Sequence, residues 1–439
     1  PSPSRPGAPP VSDRRVLVVG TTSDYIDIIR RRFSGRALFV TDAGERERAS
    51  EPAPDGRSEL LCDLARPDAV VAALRDHLGG HDIEAAGVAC FDCESMALAA
   101  YVARSFSLPY VSPEAVVACR SKLISKQLWR EAGLPCPRAG IVGSASEAVR
   151  FARDIRGPVV VKPLTGSGSE LLFVCSDKDE CVAAVRTIKA RLAHHTDERM
   201  YKRYVYAGSE VDPRRAFAIE EFVCGPEYSC DFLVDGDRVE IVRIALKVPD
   251  RSSVPGTTLA YVLPVDLPPG VVFESFRNQL RDAAHALGVV RAVCMLDFIV
   301  DGGKAVMLEL TPRPGGDCLP PLVLASCGLD MLGLALDFAE GCPVAIPDRS
   351  RWRRLVGLRL FASRAGAVRR IDTRAALADP RVLECCIRRA PGHRVVLPPE
   401  NYDSRLLGHV IFAPSSPEGV EREVSEIAAK VGIEMEDTQ

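Results

Sequence analysis

Residues 293–300 and 305–310 are two apolar runs separated by Asp301-Gly302-Gly303, a pattern that folds into a β-hairpin. The hairpin brings Asp297 and Glu309, twelve positions apart, close together on neighbouring strands, where their carboxylates can share one face. Two acids that close repel unless something positive lies between them. Mg²⁺ is the usual candidate, because it takes one or two carboxylates together with the phosphates of a nucleotide; Mn²⁺ accepts the same oxygen ligands. The segment runs on as Met307-Leu-Glu-Leu-Thr-Pro-Arg-Pro-Gly-Gly316. Arg313 can fork onto an anionic substrate, and Gly315-Gly316 can bare backbone N–H groups to an anion. An edge hairpin with solvated acids and a Pro/Gly turn fits the same residues.

A chain of 439 residues is long enough for two or three domains with their own cores. Its 47% hydrophobic and 26% charged content is that of a globular protein. A net charge of −3 provides no general field for nucleic acid, and no apolar run approaches the ~20 residues of a membrane span. The expected partners are therefore small molecules, not nucleic acid or membrane, and the expected location is cytoplasmic. Pro1–Pro10 reads as disordered and not as a signal peptide. Of the 15 Cys, Cys90-Phe-Asp-Cys93 is a lone C-x-x-C with no second pair to complete a zinc site, and the scattered others read as reduced thiols. Only nine of the 56 basic residues are Lys, which raises the question of why Arg was not used at Lys122, Lys162 and Lys247. A lysine is a compact point charge suited to one phosphate oxygen.

The first hundred residues alternate strand and helix: Arg15-Val-Leu-Val-Val-Gly20, a helix over 24–33, a strand at 37–40, a strand at 86–90 and a helix over 95–106. This order predicts an open parallel sheet. The turn Gly20-Thr-Thr-Ser-Asp24 lacks G-x-G-x-x-G, so it is not read as a dinucleotide site. From 119 an amphipathic helix closes at Gly133 and Pro135, and a second helix spans 146–155. A strand, flexible loop and strand follow over 157–174, a strand, turn and strand over 218–233 and a strand at 239–248, with a polar, irregular stretch at 196–216. A helix at 273–287 and an apolar helix at 322–339 flank the hairpin. Pro343–Arg354 marks a boundary, followed by strands near 355–361 and 405–412 and a final helix at 417–431.

Two further segments carry chemistry. Lys162 ends a Val-rich strand and precedes Thr165-Gly-Ser-Gly-Ser169, a loop able to close over a phosphate with backbone N–H donors. It is not a P-loop, because the lysine comes before the glycines; a Gly/Ser turn beside a snorkelling lysine is the plainer reading. Glu220-Glu-Phe-Val-Cys-Gly-Pro-Glu227 sets acids among apolar residues on an extended segment. Its free backbone groups can pair with an adenine edge, and a carboxylate seven residues on can accept from both ribose hydroxyls. An amphipathic strand with acids in water is the alternative.

The order of these segments, Lys122, then Lys162 with its Gly/Ser loop, then Glu220…Glu227, then Asp297…Glu309-x-Thr-x-Arg313-x-Gly-Gly, resembles the ATP-grasp superfamily of carboxylate–amine ligases, in the amino acid ligase and biotin carboxylase-like branch. The resemblance covers about 15–435. It implies a mixed α/β and α+β fold: an N-terminal parallel-sheet domain (14–118) after a disordered tail (1–13), a two-subdomain ATP-grasp unit (119–345, lid about 138–225) and a C-terminal α+β subdomain (346–439). It implies ATP and Mg²⁺ as cofactors, with Lys122 and Lys162 on the nucleotide phosphates and Gly166, Ser167, Gly168 and Ser169 as the lid. Glu220 would face the adenine amino group, Glu221 and Val223 would supply backbone contacts, and Glu227 would bind ribose. Asp297 and Glu309 would hold the metal, with Thr311 where the family usually has Asn. Arg313 would contact the transferred phosphoryl group and Lys247 the γ-phosphate.

The reaction so implied transfers the γ-phosphoryl group of ATP to a substrate carboxylate, after which an amine displaces phosphate. A carboxylase or phosphate-transfer enzyme of the same fold, and a nucleotide-binding module without catalysis, are the rival readings. The chain has no biotin-carrier-like Met-Lys-Met tract. Substrate contacts are expected from the loops at 20–24, 91–96, 249–262 and 315–320, with Arg243, Arg313, Gly315, Gly316, Asp317 and Cys318 as candidates. The family also allows a homodimer.

Overall fold

The computed structural model describes residues 13–250, 254–416 and 418–436. The tail expected at 1–13 therefore lies outside the described residues except for Asp13, which opens the first strand; part of the 249–262 loop lies outside them too. The chain forms two compact units. The first runs to Tyr110 and takes in Leu332–Val344; the second holds Val111–Met331 and the chain from Ala345 onward.

In the first unit four parallel strands lie in the order Glu59–Cys62, Ala37–Asp42, Asp13–Val19, Ile83–Ala89. Val16, Leu17, Val18 and Val19 are all buried, which fits a strand covered on both faces. Helix Ser23–Arg32 turns Tyr25, Ile26 and Ile29 onto it. Leu332, Ala335 and Leu336 complete that core, and Gly333 sits so near Phe33 that a Cβ would fall 2.6 Å from its ring. This packing corrects the sequence-based boundaries: 332–344 belongs with the first unit and not with the central domain. The apolar helix expected over 322–339 is likewise two helices, Leu319–Cys327 and Met331–Ala339. Gly328 at φ +80 ends the first in the left-handed conformation that glycine adopts without strain. No single described helix is long and apolar enough to cross a membrane.

In the second unit a four-stranded sheet, Ala139–Val142, Phe217–Glu221, Val159–Pro163 and Phe173–Cys175 in that order, carries the helices Ala145–Ile155 and Lys178–Leu192. An eight-stranded sheet runs Lys304–Thr311, Arg291–Asp301, Glu227–Asp235, Arg238–Pro249, Thr258–Leu263, Leu355–Phe361, Leu406–Phe412 and Val382–Ile387. Its last three strands come from the region expected to form a separate C-terminal subdomain. The pairing of Thr258–Leu263 with Leu355–Phe361 makes them one sheet with the central strands. A smaller sheet, Arg394–Val395, Gly366–Asp372 and Gly432–Met435, closes the C-terminal end over Val368, Val395, Leu407 and Met435. The polar stretch 196–216 contains a short hairpin, Tyr204–Tyr206 with Ser209–Val211.

Register sets what one face of the large sheet displays. Asp297 lies opposite Glu309 and Ser229, and Ser229 opposite Ala245. Two residues beyond Ala245, Lys247 lies opposite Tyr261, which lies opposite Gly357. Opposed residues share a face and residues two apart return to it. Glu309, Asp297, Lys247, Tyr261 and Arg359 therefore form a polar row that spans six strands, with Ser229 on the strand between Asp297 and Lys247.

Candidate active site

The expected hairpin forms as a two-residue turn, with Asp301 opposite Lys304. Gly302 and Gly303 take φ +54 and +77, the pair of positive angles that a tight hairpin turn of matching twist needs. Asp297 and Glu309 are thereby direct cross-strand partners. Both line an open cleft of about 580 Å³, mouth included, together with Lys122, Lys162, Glu227, Lys247 and the loop 165–170. Each acid of the pair already meets a lysine. Lys122 Nζ lies 3.6 Å from Glu309 Oε1, and Lys247 Nζ lies 3.1 Å from Asp297 Oδ2 while also contacting Glu227.

These contacts shift the titration of Glu309 and Lys247. Burial pushes the Glu309 carboxyl upward, but the ammonium groups of Lys122, Lys162 and Lys126 outweigh it and hold the carboxyl below its ordinary value. Burial works against a charged Lys247, yet Asp297 and Glu227 raise it on balance above the ordinary lysine range. The cleft thus presents carboxylates and ammonium groups in alternation.

Lys162 ends the strand Val159–Pro163, opposite Ala218. Its Nζ donates to Glu220 Oε2 at 2.7 Å. Lys126 Nζ lies 3.3 Å from Glu220 Oε1 and donates to the Leu308 carbonyl. The Glu220 side chain is only 3% exposed. Burial raises its pKa, and Lys126 and Lys162 pull it down further than burial lifts it. This corrects the expectation that the Glu220 carboxylate faces adenine: it is the buried counter-ion of two lysines. Lys126, which sequence reasoning passed over, is as central as Lys162. Its signal was the scarcity of lysine combined with its place one helical turn after Lys122.

The Gly/Ser loop lies over the cleft. Gly166 and Gly168 have φ +144 and +65, the first reachable in practice only by glycine. Lys122 Nζ donates to the Gly166 carbonyl at 3.1 Å. Ser169 Oγ donates to the Gly256 carbonyl at 2.8 Å. Glu170, absent from the sequence-based candidates, accepts from Tyr201 Oη at 3.0 Å and lies 3.2 Å from His195 Nε2. Because His195 Nδ1 accepts from the Asp197 N–H, the Nε2 position carries the proton toward Glu170. Ser167 lines the cleft between the two glycines.

The remaining candidates are distributed unevenly. Glu221 ends its strand with its N–H already given to the Arg138 carbonyl, so it has only a C=O to offer an adenine edge; Val223 follows beyond the ladder, half-buried. Thr311, two residues along from Glu309, is 5% exposed. Arg313 is half-buried, with Nη1 donating to the Pro314 carbonyl. Two expectations are corrected after it. Gly315 does not bare its N–H, which donates to Asp231 Oδ1 at 3.1 Å. Arg243 does not face a substrate: its side chain is fully buried, with Nε on Asp231 Oδ2 at 2.9 Å and Nη1 on the Ser229 carbonyl at 2.9 Å. A Cβ on Gly315 would fall 2.6 Å from Arg243 Nη2, so the buried pair acts as a seat for the glycine loop.

Among the described residues no group of three or more His, Cys, Asp or Glu is arranged to hold a metal ion. Asp297 and Glu309 alone fit Mg²⁺ only in the manner of a nucleotide site, where two carboxylates are completed by phosphate oxygens and water. The all-oxygen donor pair, opening on a cleft, meets that description.

Parts of the chain match known protein families. Residues 155–321 match the ATP-grasp domain, and residues 359–436 match the L-amino acid ligase C-terminal domain 2. The chain is 28% identical over 340 residues to the uncharacterized protein y4rH of Sinorhizobium fredii, covering 76% of this chain and 66% of that protein. It is 25% identical over 282 residues to human carnosine synthase 1, covering 62% of this chain and 32% of the relative. It therefore spans from a third to just under two thirds of these relatives' lengths. The crystal structure of an L-amino acid ligase from Bacillus licheniformis superposes with a TM-score of 0.79 at 17% identity, over 97% of this chain and all of that one.

Proposed function

The chain belongs to the ATP-grasp superfamily, and from that premise we propose that it is an ATP-dependent carboxylate–amine ligase which activates a carboxylate as an acyl-phosphate and releases ADP and phosphate. One observation carries the reading. A single cleft joins two phosphate-suited lysines, a glycine-bearing loop and a cross-strand carboxylate pair, in a chain whose C-terminal part matches an amino acid ligase domain.

In this reading Lys122 and Lys162 hold the nucleotide phosphates, Glu227 takes the ribose hydroxyls, and Glu221 and Val223 meet the adenine edge through their backbone. Asp297 and Glu309 hold Mg²⁺, with Thr311 beside them; the bound cation supplies charge neutralisation at the phosphate oxygens. Glu220 keeps the lysines oriented, because an ammonium group anchored to a buried carboxylate needs no reorganisation when a phosphate arrives. Arg313 offsets charge on the transferred phosphoryl group. The lid at 165–170 excludes water, which would otherwise hydrolyse the acyl-phosphate. The cysteines, all free thiols, favour a reducing compartment such as the cytoplasm.

The test is ADP release with ATP, Mg²⁺ and panels of carboxylates and amines. Release that requires both a carboxylate and an amine, with an amide product, supports the ligase. Release dependent on bicarbonate alone, or ATP binding without turnover, defeats it.

A further inference from the structure

The pairing of Asp297 with Glu309 depends on an irregularity in the hairpin that carries them. From the turn outward the ladder is regular, with Asp301 opposite Lys304, Ile299 opposite Val306 and Phe298 opposite Met307. Asp297 then meets Glu309, so Leu308 is an extra residue with no partner across the ladder. This is a β-bulge, two residues of one strand set against one of the other. Counted on from Met307 without it, Leu308 would oppose Asp297, and Glu309 would oppose Leu296, which is fully buried. A slip of one residue sends a side chain to the other face of a sheet. The bulge therefore keeps Glu309 on the cleft side, where it and Leu308 line the wall.

The strand Lys304–Thr311 is an edge of its sheet, so support on its outer side comes from elsewhere, from the helix Lys122–Glu131 and the segment after it. Lys126 Nζ donates to the Leu308 carbonyl. Lys122, one turn earlier, sets its Nζ 3.6 Å from Glu309 Oε1. The Met307 N–H donates to the Pro135 carbonyl at 2.9 Å. The Lys126 side chain is 2% exposed, and its ammonium also lies 3.3 Å from Glu220 Oε1; the other oxygen of Glu220 receives Lys162 at 2.7 Å.

We propose that Lys126 is a positioning residue: it pins the bulge at Leu308 and so aims the Glu309 carboxylate at the cation, while holding Lys162 in place through Glu220. This rests on the reading of the cleft as a nucleotide and Mg²⁺ site and adds to it a residue that touches neither ligand. A bulge takes backbone groups out of the ladder, and those groups need other partners. Lysine meets that need here because its three donors sit on one atom and can serve a carbonyl and a carboxylate together. A single side chain thus keeps the strand of the metal-suited acid in register with the strand of the phosphate-suited lysine. Without Lys126, the charges of Lys122, Lys162, Glu220 and Glu309 still balance two against two. Lys126→Met therefore leaves no net buried charge, the usual cause of collapse when a buried ion pair is broken.

Calorimetric titration of the full chain with ADP, with and without Mg²⁺, tests this. In the unaltered protein Mg²⁺ tightens ADP binding. Lys126→Met reduces that tightening about tenfold or more, the usual loss when a group that orients a metal ligand is removed. A side chain that only stabilised the fold would leave the tightening intact in folded protein. Should Lys126→Met melt too early to titrate, Lys126→Gln takes its place. Its amide can still donate to Glu220 but is one bond shorter and cannot keep both contacts, so the tightening falls as before. A folded variant whose ADP affinity is unchanged, or falls equally with and without Mg²⁺, overturns the proposal and leaves the nucleotide site standing. An unaltered protein that binds no ADP, or binds it with no regard to Mg²⁺, overturns both.

Discussion

Lys247 bridges two carboxylates that sequence reasoning assigned to different jobs: its Nζ lies 3.1 Å from Asp297 Oδ2 and also contacts Glu227. Asp297 belongs to the metal-suited pair and Glu227 to the ribose position. In the proposed reading one ammonium therefore couples the metal end of the cleft to the nucleoside end, and it would compete with a divalent cation for Asp297.

Lys247→Met tests that competition. Without the ammonium, Asp297 is more available to a cation, so the Mg²⁺ concentration for half-maximal ADP release falls. Turnover at saturating Mg²⁺ falls as well, by about 10²-fold, the cost of removing one group placed against developing charge. A variant with an unchanged Mg²⁺ requirement and unchanged turnover would remove Lys247 from the site.

Glu309 and Glu220 should separate function from stability. The Glu309 side chain is 35% exposed and lines the cleft, so Glu309→Ala abolishes ADP release while the thermal midpoint changes little. Glu220→Gln takes the counter-ion from two lysines inside the protein. Breaking a buried ion pair on one side costs about 3–5 kcal/mol, so this variant melts far earlier, with or without nucleotide. Equal melting of the two variants would contradict the buried role given to Glu220.

The segments legible in the sequence were those whose periodicity and turn residues were self-sufficient. Asp301-Gly302-Gly303 could only make a tight reversal, and the parallel sheet followed from Val-rich runs alternating with amphipathic helices. What was not legible depended on partners far along the chain. Nothing near Glu220 reveals that Lys126 and Lys162 lie on either side of its carboxylate, and nothing near Gly315 shows that Asp231, 84 residues earlier, takes its N–H. Arg359 looked like an ordinary strand residue, because Asp317, which it meets, lies far earlier in the chain. The break at Gly328 was missed because both flanking segments are apolar enough to read as one helix.

Acid stability follows from the buried one of these carboxylates. Glu220 has a folded pKa below its ordinary 4.5, because Lys126 and Lys162 outweigh its burial. A group depressed in the folded state contributes stability that is fully present above its unfolded pKa and is lost as pH falls through the folded one. Unfolding free energy should therefore be level in this contribution above about pH 5 and decline below pH 4.5. Glu220→Gln should flatten that decline, as read from urea melts across pH. An unaltered slope in the variant would mean that Glu220 titrates alike in folded and unfolded chains.

The lid offers the last test. Tyr201 Oη donates to Glu170 at 3.0 Å, and Glu170 follows directly on the Gly166–Ser169 loop, so the phenol ties the lid to the body of its subdomain. Tyr201→Phe removes this hydrogen bond while the ring stays packed against His195 at 4.6 Å. The loss of about 0.5–1.5 kcal/mol is too small to unfold the protein but enough to hold the lid open for a larger share of the time. Water then reaches the acyl-phosphate more often, and ADP released per product formed rises above one while the KM for the carboxylate changes little. A coupling ratio that stays at one in the variant would show that the Tyr201–Glu170 contact has no part in excluding water.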